Sequence, residues 1–344
     1  MDPYGLRRVV APAGALPQQA ERLDPTLPLG EDELAIDVEA LAVDAASLRQ
    51  LERAVGPSPA ALAGEIARIV AARGKLQNPV TGSGGMLLGA VRAVGPRHPA
   101  AGRLRAGDRI ASLVSLTLTP LRLDRITAVD PARDRVECRG EAILFSTGLW
   151  ARLPGDLPEP VALSVLDVCG APALAARHLR AGQRVLVLGA GKSGALVAAR
   201  AREGVGPGGR VVVADRSAAA LAAVAGAGLC DATLELDATD AAEALRRVEG
   251  AGGTFDLVVS CTSAPATELA ALLAVRDGGA VIFFSMATSF PAAALGAEGV
   301  GKDATLIIGS GYVPGHAEAA FELLRRQPRL RALLEGGRAA PAGG

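Results

Sequence analysis

In the second half of the chain, short unbroken aliphatic runs alternate with longer stretches in which alanine, leucine and valine recur at helical spacing. Val185-Leu-Val-Leu, Val211-Val-Val-Ala, Ala232-Thr-Leu-Glu-Leu, Phe255-Asp-Leu-Val-Val, Ala280-Val-Ile-Phe-Phe and Ala304-Thr-Leu-Ile-Ile read as strands. Segments around Ala218 to Val224, Ala241 to Val248 and Thr267 to Val275 read as helices between them. The runs at 185–188, 211–214 and 280–284 carry no polar residue, as strands buried on both faces do, and with helices between the strands the pattern predicts a doubly wound parallel sheet, an α/β Rossmann architecture. A long loop is expected between the fifth and sixth strands.

From Val9 to about Leu153 the pattern changes to short strands and turns with one helical insertion. Glu33-Leu-Ala-Ile-Asp-Val-Glu39 alternates like a half-buried strand, and Leu62, Ile66, Ile69 and Val70 repeat at helical spacing before Gly74. The stretch Lys75 to Met86 is too rich in glycine for regular structure; Leu87 to Val94 and the segment opened by Leu104 to Ile110 return to strand. A single core seldom grows past about 250–300 residues, so the 344 residues divide into two domains. The expected division is a mainly β domain over 1–155 and a parallel-sheet domain over 156–344. One helix from Val161 to Ala176 opens the second domain, with Asp167 inside its apolar run, and a Gly/Ala/Pro tail from Gly336 closes it.

Charge removes several function classes. Lys plus Arg and Asp plus Glu are both 36, which leaves no net field to draw nucleic acid or an anionic membrane. No apolar run approaches the roughly 20 residues of a membrane span. A soluble, cytoplasmic protein acting on a small molecule is expected. The four cysteines, Cys138, Cys169, Cys230 and Cys261, form no C-x-x-C pair and read as reduced thiols rather than as a disulfide or zinc framework.

The first predicted strand of the second domain runs into Gly189-Ala-Gly-Lys-Ser-Gly194. In such a fingerprint Gly189 permits the tight turn, Gly191 lets a diphosphate reach the backbone, and Gly194 lets the helix pack on the strand. Lys192 and Ser193 lie at the helix N-terminus, whose unpaired N–H groups favour an anion. Asp215 ends the next strand, 21 positions after Gly194, where its carboxylate would accept from an adenosine ribose and repel a 2′-phosphate. Arg216 beside it fits an adenine stack or a phosphate contact. NAD is the expected cofactor, and Cys261, Thr262 and Ser285, after the fourth and fifth strands, complete the cofactor-binding set.

The glycine loop, the Val-x-x-Val-Gly strand end and Gly107-Asp-Arg-Ile110 resemble the GroES-like catalytic domain of medium-chain dehydrogenase/reductases, a superfamily in which a Rossmann domain follows. A narrower set is similar to the L-erythro-3,5-diaminohexanoate dehydrogenases of lysine fermentation: Asn78 to Met86, Leu113 to Pro120, Phe284 to Phe290, Ala294 to Asp303 and Gly315-His-Ala-Glu318. Where zinc enzymes of the superfamily carry a metal cysteine and Gly-His-Glu, this chain has Val43-Asp-Ala-Ala-Ser47 and Gly82-Ser-Gly84, so the resemblance implies no metal site.

That likeness implies NAD-dependent oxidative deamination of a diamino acid at C3, through an iminium that water hydrolyses. The amine must first lose a proton, so a general base is needed. Asp167, as a buried carboxylate with a raised pKa, and His316 are the candidates for proton transfer, each also readable as an ordinary helix residue. Glu298, Lys302 and Asp303 fit either the reaction centre or ion pairs that hold their loop. Asp44, Ser47, Lys75, Thr81 and Ser83 fit either substrate contacts or turns. His98 and His178 read as surface residues. The superfamily likeness implies a homo-oligomer. A zinc-free quinone or enoyl reductase, or a dinucleotide sensor without turnover, are the rival readings.

Overall fold

The structure, a computed structural model, describes residues 1–285, 287–309 and 311–336; it forms two compact units, the first ending at Asp156 and the second beginning at Leu157. Met286, Ser310 and the Gly/Ala/Pro tail after Gly336 lie outside the described residues.

The first unit opens with an antiparallel pair, β1 (Val9–Ala11) and β2 (Arg22–Leu23). Next come β3 (Glu33–Ala42), α1 (Ala45–Val55), α2 (Pro59–Arg73), β4 (Met86–Val94), β5 (Arg109–Ser112), β6 (Leu121–Asp130), β7 (Arg135–Phe145) and β8 (Trp150–Arg152). These six strands, β3 to β8, form an antiparallel sheet in the order β6-β7-β3-β4-β5-β8. The alternating residues Leu34, Ile36 and Val38 of β3 meet Leu62, Ile66, Ile69 and Val70 of α2 in one core. The strands are not all short. β6 and β7 run for ten and eleven residues, and bulges between Leu123 and Arg125 and between Ile126 and Ala128 interrupt the alternation that would have marked β6 as one strand.

The unit also has two helices where one was expected. The segment from Asp44 to Ser47, expected to serve as a substrate contact or a turn, is the N-terminus of α1: Asp44 Oδ1 accepts from the Ser47 N–H at 2.8 Å, the bond of an N-cap. Leu48, Leu51 and the partly buried Val55 anchor its apolar side, a stripe one residue wide that is easily passed over. His98 is a second correction. It is buried, its Nδ1 accepts from the Ala100 N–H at 3.0 Å, and its Nε2 lies 3.2 Å from the Phe145 carbonyl. The bonds fix one neutral tautomer, and burial pushes its pKa down.

A clamp of like depth holds the start of the chain. The side chains of Arg8 and Glu33 are 0% and 1% exposed; Arg8 donates to the carboxylate at 2.7 and 2.6 Å and to the Asp24 carbonyl at 3.0 Å. Burial alone would raise the carboxyl, but the bonds from Arg8 and Arg7 hold it down at about 2.

The second unit contains α3 (Glu159–Leu166), α4 (Gly170–His178), β9 (Arg184–Leu188), α5 (Lys192–Val205), β10 (Arg210–Asp215), α6 (Ala218–Gly226), β11 (Ala232–Glu235), α7 (Ala241–Gly250), β12 (Phe255–Ser260), α8 (Glu268–Ala274), β13 (Val275–Phe283), α9 (Phe290–Gly299), β14 (Ala304–Ile308), α10 (His316–Arg326) and α11 (Pro328–Gly336). Its six strands are all parallel, in the order β11-β10-β9-β12-β13-β14. Numbered within the unit this is 3-2-1-4-5-6, the Rossmann order, whose switch point lies between β9 and β12. Two expectations need revision. The single helix from Val161 to Ala176 is two, α3 and α4, bent by 49° at the break, where Asp167 ends the first and Cys169 caps the second. The long loop before β14 contains α9, whose N-cap Ser289 accepts from Ala292. Among the described residues no single helix is long and apolar enough to cross a membrane.

Candidate active site

Three strand ends converge at the switch point of the second unit. After β9 the chain turns at Gly189, with φ at 100°, a conformation that favours glycine. A Cβ on Gly194 would stand 1.8 Å from the Gly189 carbonyl oxygen, so α5 reaches β9 only because residue 194 has no side chain. Gly191 differs: it caps α5, and a Cβ there would meet nothing within 4 Å. Its backbone borders open space, as a loop that admits a diphosphate requires. The loop after β12 packs against this turn: the Cys261 N–H donates to the Leu188 carbonyl at 2.7 Å, and a Cβ on Gly189 would lie 3.0 Å from Thr262 N.

Asp215, at the end of β10, closes the cradle. Its Oδ2 accepts from the Ala190 N–H at 2.7 Å, and its Oδ1 accepts from the Ser217 N–H at 2.8 Å. Each oxygen keeps a lone pair for a ribose hydroxyl. Arg216 is exposed beside it. Burial pushes the Cys261 thiol up to about 12, against a hydrogen bond from Ser193 that lowers it; a neutral thiol adds no charge to a phosphate site. Ser285 follows β13, where its hydroxyl accepts from the Ala287 N–H at 3.1 Å. The cofactor candidates other than Ser285 and Arg216 are thus brought into one cradle, and these residues fit a nicotinamide dinucleotide.

The proton-transfer candidates of this unit are arranged differently from expectation. Asp167 is not buried: its side chain is 56% exposed and its Oδ2 accepts from Lys192 Nζ at 3.1 Å. The break in the helix turns it out of the apolar run, so the burial on which its basicity rested is absent. His316 occupies the first turn of α10, is buried, and meets the Tyr312 ring edge-on with centroids 5.6 Å apart. Burial pushes its pKa down, against Glu318 and the Val313 backbone; the imidazole is neutral at neutral pH. Glu298 lies at the exposed end of α9, and Lys302 and Asp303 follow it. Backbone bonds secure this segment: Lys302 N–H to the Ala297 carbonyl at 3.0 Å and Gly278 N–H to the Asp303 carbonyl at 2.7 Å.

In the first unit, four of the five candidates gather around the N-terminus of α1. Ser47 Oγ lies 2.5 Å from Thr81 Oγ1, and Thr81 Oγ1 in turn accepts from the Ser83 N–H at 3.3 Å. Asp44 Oδ1 is used by the helix cap, whereas its buried Oδ2 has no hydrogen-bond partner. An orphaned carboxylate oxygen of this kind costs about 1–3 kcal/mol or more and would be satisfied by a cationic donor. Lys75 stands apart. It is fully buried, and its ammonium donates to the carbonyls of Pro17 and Gln18 at 2.8 and 3.1 Å, so it presents no charge to a ligand. Burial pushes its pKa down to about 8.

The chain is 45% identical to an L-erythro-3,5-diaminohexanoate dehydrogenase of Acetoanaerobium sticklandii, over 96% of this chain and 97% of that one. It is equally similar, 45% over 96% and 97%, to the dehydrogenase of the same name from Fusobacterium nucleatum. The chain belongs to the L-erythro-3,5-diaminohexanoate dehydrogenase family. The model of that family's N-terminal domain matches residues 7–154. Among solved structures, an alcohol dehydrogenase from a Thermus species aligns with a TM-score of 0.56 at 18% identity, over 92% of this chain and 91% of that one. An alcohol dehydrogenase from Thermotoga maritima aligns at 0.55 and 16%, over 91% and 89%. These likenesses show that the chain shares its fold with the two alcohol dehydrogenases.

Two residues of this diaminohexanoate dehydrogenase family member were missed as site builders. Asn78 is buried, and its Nδ2 donates to the Ser47 carbonyl at 3.2 Å and to Gln50 Oε1 at 2.7 Å. Its Oδ1 accepts from the N–H groups of Val80 and Thr81 at 2.8 and 3.1 Å. Asn78-Pro79 at the start of a glycine-rich stretch was the available signal, since an Asn side chain that bonds two residues on builds such turns. Nothing in the sequence pointed to Gln50. Among the described residues no group of three or more His, Cys, Asp or Glu could hold a metal ion.

Proposed function

We propose that this protein is an NAD-dependent amine dehydrogenase that converts L-erythro-3,5-diaminohexanoate, NAD⁺ and water to 5-amino-3-oxohexanoate, ammonium, NADH and a proton. The observation that carries this reading is the 45% identity, along nearly the whole of both chains, to two dehydrogenases of that name. When bound, the nicotinamide ring supplies the acceptor for the hydride that leaves C3.

The chain's own residues supply the rest. Before the hydride can leave, the C3 ammonium must give up a proton, because only the neutral amine has a lone pair to form the C=N bond. His316, neutral at neutral pH, is the acceptor this reading assigns. In the first unit, Asp44 Oδ2 lacks a partner and is open to a cationic group, with Ser47 and Thr81 hydrogen-bonded to each other in the same loop cluster. Water then adds to the iminium carbon, and ammonia leaves. Asp215 supports NAD over NADP, since its carboxylate repels a 2′-phosphate. The protein is proposed to act in the cytoplasm as a homo-oligomer.

The test is the appearance of NADH absorbance when purified protein meets 3,5-diaminohexanoate and NAD. Repeats with NADP, and with a quinone plus NADPH, complete it. Turnover of the diamine with NAD is expected; quinone turnover without it would sink the proposal.

A further inference from the structure

Lys192 and Asp167 were drawn from separate parts of the sequence for separate tasks, one for the cofactor and one for the proton. The structure joins them: Nζ and Oδ2 lie 3.1 Å apart, with side chains 50% and 56% exposed. Lys192 is the first residue of α5, directly after Gly191, whose backbone faces open space. Asp167 stands at the 49° break between α3 and α4. A lysine on a four-carbon stem can swing its ammonium from a neighbouring carboxylate to an anion over the loop without any change in backbone. An exposed ion pair is weak, so such an exchange costs little.

We propose that Lys192 is a contact for the dinucleotide's diphosphate, and that Asp167 is a positioning residue which holds the Lys192 ammonium until the diphosphate arrives. The inference rests on the reading that this loop takes a dinucleotide. It gives Asp167 a role that its exposure allows. Asp167 then opposes binding, because its carboxylate competes with the diphosphate for one cation.

A double-mutant cycle read by NADH fluorescence tests it. Lys192→Met is expected to raise the Kd for NADH about tenfold and to flatten its dependence on salt, while Lys192→Arg keeps most of the affinity. Asp167→Asn is expected to lower the Kd by up to about fivefold, the upper end of what an exposed pair is worth, and to do nothing in the Lys192→Met background. The proposal is overturned if Asp167→Asn acts equally in both backgrounds, if it weakens binding, or if Lys192→Met leaves the Kd unchanged. It also falls if Asp167→Asn abolishes turnover with the Kd for NADH intact, which would restore Asp167 as a base. Failure of the unmodified chain to bind NADH would remove the dinucleotide reading and the proposal with it. Absent diamine turnover beside intact cycle energetics would remove the substrate assignment alone.

Discussion

Two glycine-rich loops, one from each unit, are held by different means. The loop from Gly189 to Gly194 is shaped by what its residues lack: a positive φ at Gly189, a close approach at Gly194 and open space at Gly191. The loop from Asn78 to Met86 also needs glycine, since a Cβ on Gly84 or Gly85 would stand 2.3 or 2.0 Å from a main-chain oxygen, but side chains tie it to α1: the Asn78 amide and the Ser47–Thr81 hydroxyl pair. A backbone-built loop can be recognised from a short stretch, because each glycine has its own steric reason. A loop built by side chains depends on partners such as Ser47 and Gln50, some 30 residues away, and no local pattern announces them.

The largest effects should come from the backbone-built loop. Gly194→Ala places a methyl 1.8 Å from a main-chain oxygen, and neither side can yield, so a loss of about 3 kcal/mol in urea unfolding is expected together with loss of NADH binding. Gly191→Ala separates the two roles. It should leave unfolding within about 0.5 kcal/mol of the parent, since its Cβ meets nothing within 4 Å, yet raise the Kd for NADH at least about tenfold. Equal unfolding losses for both variants would refute the distinction between packing and ligand glycines.

Next comes the side-chain-built loop. Asn78→Ala removes four hydrogen bonds at once, and about 1–3 kcal/mol of stability should go with them. The KM for the diamine should rise while NADH binding stays unchanged; a matching loss of NADH affinity would mean that the two loops are not independent.

The smallest effect concerns acid, and it touches both units. His98 in the first, and His178 and His316 in the second, all have pKa values pushed down, first of all by burial. Below about pH 6.5 the unfolded chain takes up protons that the folded chain refuses, so stability falls as the pH falls. The urea midpoint should be flat just above pH 7 and decline below 6.5. A rise on acidification would contradict the burial of these rings.

The parallel sheet is readable because β9, β10 and β12 each carry a run of three or four aliphatic residues buried on both faces. Reading failed where tertiary contacts decide. His98 looked like a surface residue because its turn is polar, yet that turn folds inward to reach the Phe145 carbonyl. Lys75 reads as either a substrate contact or a turn residue from its glycine-rich segment alone; lysines are seldom enclosed, yet two carbonyls 57 and 58 positions earlier in the chain receive this one. Asp167 looked buried because its neighbours are apolar, and only the bend after Leu166 turns it to solvent.

The clamp between Arg8 and Glu33 sets a limit on how far this chain can be shortened from its front. Removing the first eight residues would leave a carboxylate with a side chain only 1% exposed, stripped of both guanidiniums, at the first position of β3. An affinity handle placed before Met1 should be tolerated; a protease cut after Arg8 should loosen the very sheet from which Asp44 and the Asn78 loop are hung.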